Sequence, residues 1–288
     1  MTGAASLSAI RRRSDVLGRA LRVVPQAVVL SVSGALALAP RSPLHLEPER
    51  SWAGPSWDRP LGCGEGGIDL AAVVAHATLR AVVLAASVAL VGFLVGCPLG
   101  AAAASRRGRL ERVVTRACDL VQAFPTFLLA LVVLSAVRAP SRVHLGIVFT
   151  LTAWAPFTRL SLAQTRVLRD QAFVEAARAL GASPAVVVAR HLVPNLLGVV
   201  AVQLGAAGAA VVVSEAALSF VGFGARDGVS LGVVLDQGVS GMLRAPHVLL
   251  VGAAAVFVTS VSLMIAGRAF DPAGPSPSKG FARERKSN

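Results

Sequence analysis

The sequence predicts an all-α integral membrane protein with about six transmembrane helices. Of its 288 residues, 55% are hydrophobic and only 15% are charged, and the mean hydropathy is +0.68. A soluble domain has about a quarter charged residues, so this deficit indicates that lipid is the solvent for much of the chain. Six apolar stretches reach about 17 residues or more, the lower limit for a helix that crosses a bilayer. Only helices can cross singly, because every backbone amide must be bonded within its own segment.

The apolar stretches are separated by short loops rich in arginine. We predict spans at residues 23–39, 76–104, 116–137, 145–162, 194–221 and 246–267. The first stretch has a second interpretation as a signal peptide, with the arginines at 11–13 as its basic region and residues 37–39 as the cleavage site. Its length favours a retained helix, as does Pro40, which would hinder cleavage directly before it.

The distribution of basic residues predicts the orientation. If the N-terminus is cytoplasmic, 20 of the 28 lysines and arginines fall in inside segments. Cytoplasmic loops carry such an excess, so both termini are predicted to lie in the cytoplasm. The same bias explains the net charge of +13 without a nucleic-acid partner.

The predicted organisation follows from these spans. A basic cytoplasmic N-terminus (1–22) precedes the first helix (23–39) and an extracytoplasmic loop (40–75). A core of five transmembrane helices (76–270) follows, and a disordered cytoplasmic tail (271–288) ends the chain. In the core, residues 222–245 are expected to lie outside and to dip back as short re-entrant helices.

The longest predicted inside loop, residues 159–193, contains a short helix with clear start and stop signals. Asp170 is its predicted N-cap, and Gly181 is the predicted C′ residue that ends it in a left-handed conformation. The helix between them has about ten residues and a length of about 15 Å. Ser183 and Pro184 then begin the next helix as N-cap and first residue.

The two sides of this short helix differ. One side carries apolar side chains at i, i+3/4 and i+7 spacing: Phe173, Ala176 or Ala177, and Leu180. Glu175 lies on another side, where it can pair with Arg178 or with an incoming partner. The pattern alone leaves two interpretations open, a docking surface for another protein and an amphipathic helix that lies on lipid headgroups.

The same loop resembles the EAA loop of ABC importer permeases, whose pattern is Glu-Ala-Ala, three residues, Gly, nine residues and Ile-x-Leu-Pro. The matching positions are Glu175, Ala176, Ala177, Gly181 and Pro194. Residues 190–195, Arg-His-Leu-Val-Pro-Asn, are similar to the Arg-His-Ile-Leu-Pro-Asn form of the dipeptide/oligopeptide/nickel branch. The resemblance implies a type I ABC importer permease, the C-type subunit of such an importer, whose short helix docks into a groove of the ATPase.

The resemblance extends from about residue 60 to about residue 272. Residues 118–125, with Asp119 and the Ala-Phe-Pro that ends in Pro125, match the Asp-x-x-x-Ala-Phe-Pro segment of the family. Residues 214–220, Ser-Glu-Ala-Ala-Leu-Ser-Phe, resemble its Thr-Glu-Ala-Gly-Leu-Ser-Phe signature.

The chain departs from the family on the outer side. The outer Leu-Gly-Thr-Asp-x-x-Gly-Arg-Asp segment survives only in part. The retained positions are Leu61, Gly62, Gly67 and Asp69, and the altered ones are Cys63, Gly64 and Ile68. Leu231 and His247 stand where the branch commonly has tryptophan. These changes leave the cargo open.

The resemblance implies a set of partners in the cell membrane of a prokaryote. These are ABC ATPase subunits, a second permease subunit, an extracytoplasmic binding protein and membrane lipid. Di- or oligopeptides are the expected cargo, with nickel or another small solute as the alternative. A rival of another class is a membrane-embedded scaffold or enzyme with an interfacial loop. The chain has no phosphate-binding Gly-x-x-x-x-Gly-Lys loop and no metal-ligand spacing among its five histidines, so we expect no cofactor, no metal and no enzymatic activity.

Three further residues are candidates for the pathway or for structural roles. Asp119 and Glu215 are acids within apolar spans, where charged groups are usually functional or paired. For Asp119 we favour an ion pair or a cap, with Arg116 nearby. Glu215 either lines the pathway or holds the re-entrant segment. Pro125 is expected to kink the third span.

Overall fold

Eight helices make up the part of the chain that the structure describes. The computed structural model describes residues 45–106 and 108–268, together with isolated positions between residues 24 and 43. The helices are α1 (Leu70–Arg106), α2 (Arg109–Ala123), α3 (Thr126–Ser135), α4 (Arg142–Leu168), α5 (Ala172–Ala179), α6 (Pro184–Phe220), α7 (Leu231–Ser240) and α8 (Pro246–Arg268). The predicted first span, the N-terminal segment before it and the C-terminal tail lie outside the described residues.

Four of the helices, α1, α4, α6 and α8, are long and apolar enough to cross a membrane. The predicted third span, 116–137, is interrupted at Pro125, where the sequence predicted a kink. It is a pair, α2 and α3, bent by 67°. The break falls at Phe124 and Pro125, because proline cannot donate the backbone hydrogen bond that would continue α2. Counting this pair as one span gives five in the described part of the chain.

Three of the other spans, α1, α4 and α6, begin earlier than the sequence predicted, whereas α8 begins at the predicted residue, Pro246. Helix α1 starts at Leu70, inside the predicted outer loop, because the Asp69 carboxylate accepts a hydrogen bond from the Ala71 N–H (3.0 Å) and caps the helix. Helix α6 starts at Pro184 and includes a π-helical stretch, Val187–Leu192. The expected re-entrant region contains a single helix, α7, which packs between α6 and α8.

Helices α1 and α4 pack most extensively, through a row of glycines. A side chain at Gly96 would lie 2.5 Å from the Trp154 carbonyl, and one at Gly100 would lie 2.3 Å from that of Thr158. Such contacts are too short for any Cβ atom, so only glycine lets the two backbones come this close. The main apolar core lies beside this contact and joins α1, α3, α4 and α6.

Polar contacts show which helix ends lie together. At one end, Glu111 of α2 pairs with Arg166 of α4 (2.7 Å), and Arg169 donates to the Ala104 carbonyl of α1 (2.6 Å). At the other end, Arg142 at the start of α4 pairs with Asp227, which follows α6 (3.2 Å). Thus α1 and α4 run in the same direction and α6 runs opposite to them. The short helix α5 lies at the first of these ends.

The outer segment before α1 is held by the residues that its motif retains. Gly62 and Gly67 have φ of +79° and +73°, which favour glycine, and a Cβ at Gly67 would lie 1.8 Å from the Glu47 carbonyl. Asp69 caps α1 and pairs with Arg59 (3.6 Å), which also pairs with Glu47. The retained positions are therefore those that this loop conformation requires.

Candidate functional site

The short helix α5 ends in a complete Schellman motif. Gly181 has φ of +83°, its N–H donates to the Arg178 carbonyl (3.0 Å), and the Ala182 N–H donates to the Ala177 carbonyl (3.0 Å). These two bonds satisfy carbonyls that the end of a helix leaves free. The chain therefore turns at Gly181 in a defined conformation.

The start of α5 differs from the prediction. Gln171, and not Asp170, occupies the N-cap position, and α5 has eight residues instead of about ten. Asp170 is engaged elsewhere, because its carboxylate lies 3.8 Å from the Arg169 guanidinium. Helix α4 extends to Leu168, which leaves too little chain for an earlier start of α5.

One buried side chain attaches α5 to its neighbours. Val174 is fully buried and packs with Val187 and Leu192 at the start of α6. Leu168, the last residue of α4, packs against the same cluster. A rigid displacement of α5 therefore acts on the end of α4 and on the start of α6 together.

The opposite side of α5 is exposed. Phe173 is 40% exposed and Leu180 is 89% exposed, and Ala176 between them is exposed as well. The predicted apolar stripe thus faces away from the protein, while Ala177 is buried beneath it. Exposed leucine and phenylalanine on one helix face are typical of a surface that another molecule covers.

The charged residues of α5 lie on its exposed surface. Glu175 and Arg178 are both exposed, and no ion pair joins them among the residues that the structure describes. Glu175 is therefore available to an incoming partner, the second of the two roles predicted for it.

The connection from α5 into α6 is built around two prolines. The Ser183 hydroxyl accepts from the Val186 N–H (3.4 Å), with Pro184 as the first helical residue, as the sequence predicted. Pro194 has no N–H for the Arg190 carbonyl, and the helix before it widens to a π-helical turn. The Asn195 amide then donates to the His191 carbonyl (2.6 Å).

Asp119 pairs with a different arginine from the one expected. Its carboxylate lies 3.2 Å from the Arg159 guanidinium of α4, and both side chains are about half exposed. Arg159 also donates to the Gln122 side chain (2.8 Å). The expected ion pair is present, but its partner is Arg159 of α4 rather than the nearby Arg116.

Glu215 lies at the other end of the molecule, beside the segment that follows α6. It is 5% exposed and accepts a hydrogen bond from the Ser219 hydroxyl (3.2 Å), while its second oxygen is buried without a partner among the described residues. That oxygen faces a small enclosed cavity, which is also lined by Arg80, Arg142 and Ser230. Glu215 therefore belongs to a different site from α5.

Asp227 links the segment that follows α6 to the start of α4 and to Arg80 of α1. Its carboxylate accepts from the Arg142 backbone N–H (3.3 Å) and guanidinium (3.2 Å), and its carbonyl accepts from Arg80 (3.3 Å). Burial raises the pKa of Asp227, but the contacts with Arg142 outweigh burial, so the pKa lies below its ordinary value. Nothing in the local sequence marks Asp227, because its partners are distant along the chain.

No metal centre accompanies these groups in the described part of the chain. No three histidine, cysteine, aspartate or glutamate side chains are placed there to hold a metal ion. The three cysteines, Cys63, Cys97 and Cys118, are free and buried.

Comparison with known proteins decides the family. The family described as "Binding-protein-dependent transport system inner membrane component" matches residues 96–273, which include α5 and the helices attached to it. The chain belongs to this family. It is accordingly a multi-pass inner-membrane permease subunit of an ABC importer, a transport protein and not an enzyme.

Similar curated proteins come from several bacteria. A glutathione transport system permease protein GsiD of Pectobacterium atrosepticum is 28% identical over 224 residues, which cover 77% of this chain and 74% of that protein. The GsiD proteins of Shigella dysenteriae and Escherichia coli O157:H7 are 34% and 33% identical over 161 residues. The latter alignments cover 56% of this chain and 53% of the relatives, about half of their length.

Proposed function

We propose that this permease subunit couples the motion of an ABC ATPase to the import of di- or oligopeptides, and that α5 is the coupling helix. The observation that carries the proposal is the two-sided construction of α5. One side is attached through Val174 to α4 and α6, and the other presents Phe173 and Leu180 to a partner. A force on the exposed side is thereby passed to two membrane-spanning helices.

The expected topology supports this assignment. The end of the molecule that carries α5 also carries Glu111, Arg166 and Arg169, and 10 of the 17 arginines in the described part of the chain lie toward it. An excess of arginine marks the cytoplasmic side, where ATP is available. We therefore place α5 and both chain termini in the cytoplasm and retain the first predicted span, for a total of six.

Peptides are favoured as cargo because the similar proteins are described as glutathione permeases, and glutathione is itself a peptide. The family description implies a binding protein and ATPases as partners, and we propose that the binding protein is extracytoplasmic and that a second permease subunit completes the importer. The altered outer segment contacts α8, since a Cβ at Gly62 would lie 2.7 Å from the His247 ring. We expect it to lie where the binding protein delivers the cargo.

Copurification with the ATPase tests the proposal. Leu180→Ser should remove an apolar contact from the docking surface. A leucine side chain that becomes buried on binding contributes roughly 1.5–3 kcal/mol to the free energy of association. The ATPase should then bind more weakly by about tenfold or more. Leu243→Ser is the matched control, because Leu243 is fully exposed and lies between α7 and α8 at the other end of the molecule.

Each outcome bears on the assignment. Loss of the ATPase with Leu180→Ser alone supports docking at α5. Equal retention in both variants, or failure of the unaltered chain to bring down any ATPase, contradicts it and favours an interfacial helix of a scaffold. Replacing Glu175 should in addition lower peptide uptake while the chain still inserts, and unchanged uptake would count against its proposed role.

A further inference from the structure

We infer that a polar cleft at half the height of α4 and α6 holds an uncharged peptide group of the cargo during its passage. The inference rests on the proposed function, because it concerns the substrate of that permease.

The cleft opens between α3, α4 and α6 and has a volume of about 200 Å³. Its polar lining consists of Gln203 and Ser214 of α6, Thr152 of α4, and Thr126, the first residue of α3. Alanines, Phe149 and Val211 form the remaining walls. Gln203 lies near the middle of α6 and Thr152 near the middle of α4, so the cleft lies about midway through the predicted membrane.

Gln203 is the side chain that most requires a ligand. It is partly buried in an apolar stretch of α6, and its amide has no hydrogen-bond partner among the residues that the structure describes. An amide without hydrogen-bond partners is unfavourable in an apolar environment, so such groups are normally engaged. Gln203 thus has a free donor and a free acceptor, side by side, at the edge of the cleft.

The backbone of α4 contributes a second acceptor. Pro156 lies in the cleft wall and has no N–H, so the Thr152 carbonyl lacks its usual α-helical donor. The Thr152 hydroxyl is already used, because it donates to the Phe149 carbonyl (3.0 Å). The cleft therefore combines a helix carbonyl without its donor, an amide and hydroxyl groups.

These groups suit a peptide bond better than a charge. A carboxamide matches a peptide group because each offers one N–H and one carbonyl oxygen. No charged side chain lines the cleft, so an ionised terminus would have no counter-charge there. The volume equals that of about seven water molecules, which is room for one amino-acid unit and not for a whole oligopeptide.

Thiol labelling in the cleft tests the inference directly. Ala206 lines the cleft and is exposed, and the native cysteines are buried, so Ala206→Cys should be the main site of maleimide labelling in the described part. The probe is N-acetylalanine amide, which has two peptide groups and no charge, with acetate as the charged control. The protein is the full chain, assembled with its second permease and ATPases in lipid nanodiscs.

The expected result is site-specific protection. The probe should slow labelling of Ala206→Cys by about threefold or more, and acetate should not. Labelling of Val199→Cys should be unaffected by the probe, because Val199 is exposed on α6 but lies outside the cleft. Adding Gln203→Leu should raise the probe concentration for half protection about tenfold, which corresponds to about 1.4 kcal/mol. Gln203→Asn, which keeps the amide, should retain part of the protection.

Two results would overturn the inference. One is labelling of Ala206→Cys that the probe does not change. The other is no labelling under any condition, because a helix of the second permease would then cover this face. Uptake of dialanine is measured separately: protection without uptake contradicts the proposed function alone, and uptake without protection contradicts the cleft alone.

Discussion

Substitution of Gly181 isolates the conformation of α5, the proposed coupling helix, from its surface chemistry. A Cβ atom at this position has no heavy atom within 4 Å, so Gly181→Ala creates no clash. The only penalty is the left-handed backbone at φ of +83°, which costs an L-residue about 1–2 kcal/mol. This free energy opposes the Schellman turn that ends α5 and leaves Phe173, Val174 and Leu180 chemically unchanged.

A matched control exists at the other end of α6. Gly222 has φ of +88° and also has no atom within 4 Å of a Cβ. It closes the same pair of bonds, from Gly222 N–H to Ser219 (3.1 Å) and from Phe223 N–H to Leu218 (2.9 Å). Gly222→Ala should therefore lower the free energy of unfolding by about the same amount as Gly181→Ala.

The assay measures the affinity of the two purified permease subunits for the ATPase, together with ATP-driven uptake of dialanine. One to two kcal/mol corresponds to about a 5- to 30-fold change in an equilibrium constant, and we expect a loss of that size for Gly181→Ala only. Gly181→Asn should be intermediate, because asparagine tolerates the left-handed conformation. Equal loss of affinity in both alanine variants, or loss in neither, would refute the assignment of α5 as the docking element.

Two further predictions concern the contacts between the membrane-spanning helices and the segment that follows α6. Gly100→Val should prevent α1 and α4 from packing, since its Cβ would lie 2.3 Å from a backbone carbonyl of α4. Gly146→Ala should be tolerated, because the atom nearest to its Cβ would lie 3.5 Å away. The midpoints of thermal unfolding in detergent distinguish the two variants. Because the pKa of Asp227 is lowered, its pairing with Arg142 is fully present above the ordinary aspartate pKa and is lost only as the pH falls through the lowered value. The hydrogen-exchange protection factors of residues 222–230, which are corrected for the intrinsic pH dependence of amide exchange, should thus be unchanged between about pH 7 and pH 5. Asp227→Asn should lower them at both pH values; a loss of protection already in that range would contradict the pairing.

Local sequence signals were sufficient to predict the structure where a single residue type decides the backbone conformation. Gly181, Ser183 and Pro184 were placed correctly because a left-handed C′ residue, a hydroxyl N-cap and a first-position proline each act within one turn. Composition and the length of apolar runs were enough to predict an all-helical membrane protein.

The errors arose where distant residues compete. Asp170 has a good N-cap side chain, but Arg169 beside it and the extension of α4 to Leu168 move the cap to Gln171. Asp119 pairs across to Arg159 of α4, and a single sequence contains no signal for such a contact. Pro125 predicted the position of the bend in 116–137, but its size, 67°, depends on how α2 and α3 pack on other helices.

The path from α5 to the cleft is short enough to give the proposed coupling a mechanical basis. Val174 of α5 packs on Leu168 and Val187, and the two helices that begin or end there, α4 and α6, form two walls of the cleft at Thr152 and Gln203. The third wall, α3, starts at the 67° break, where no continuous helix ties it to α2. We expect a displacement of α5 to move these two walls together relative to α3, which meets α2 at the break at Pro125. The same movement would change the distance between Gln203 and α3, so a helix that binds no cargo would still control how tightly a peptide group is held.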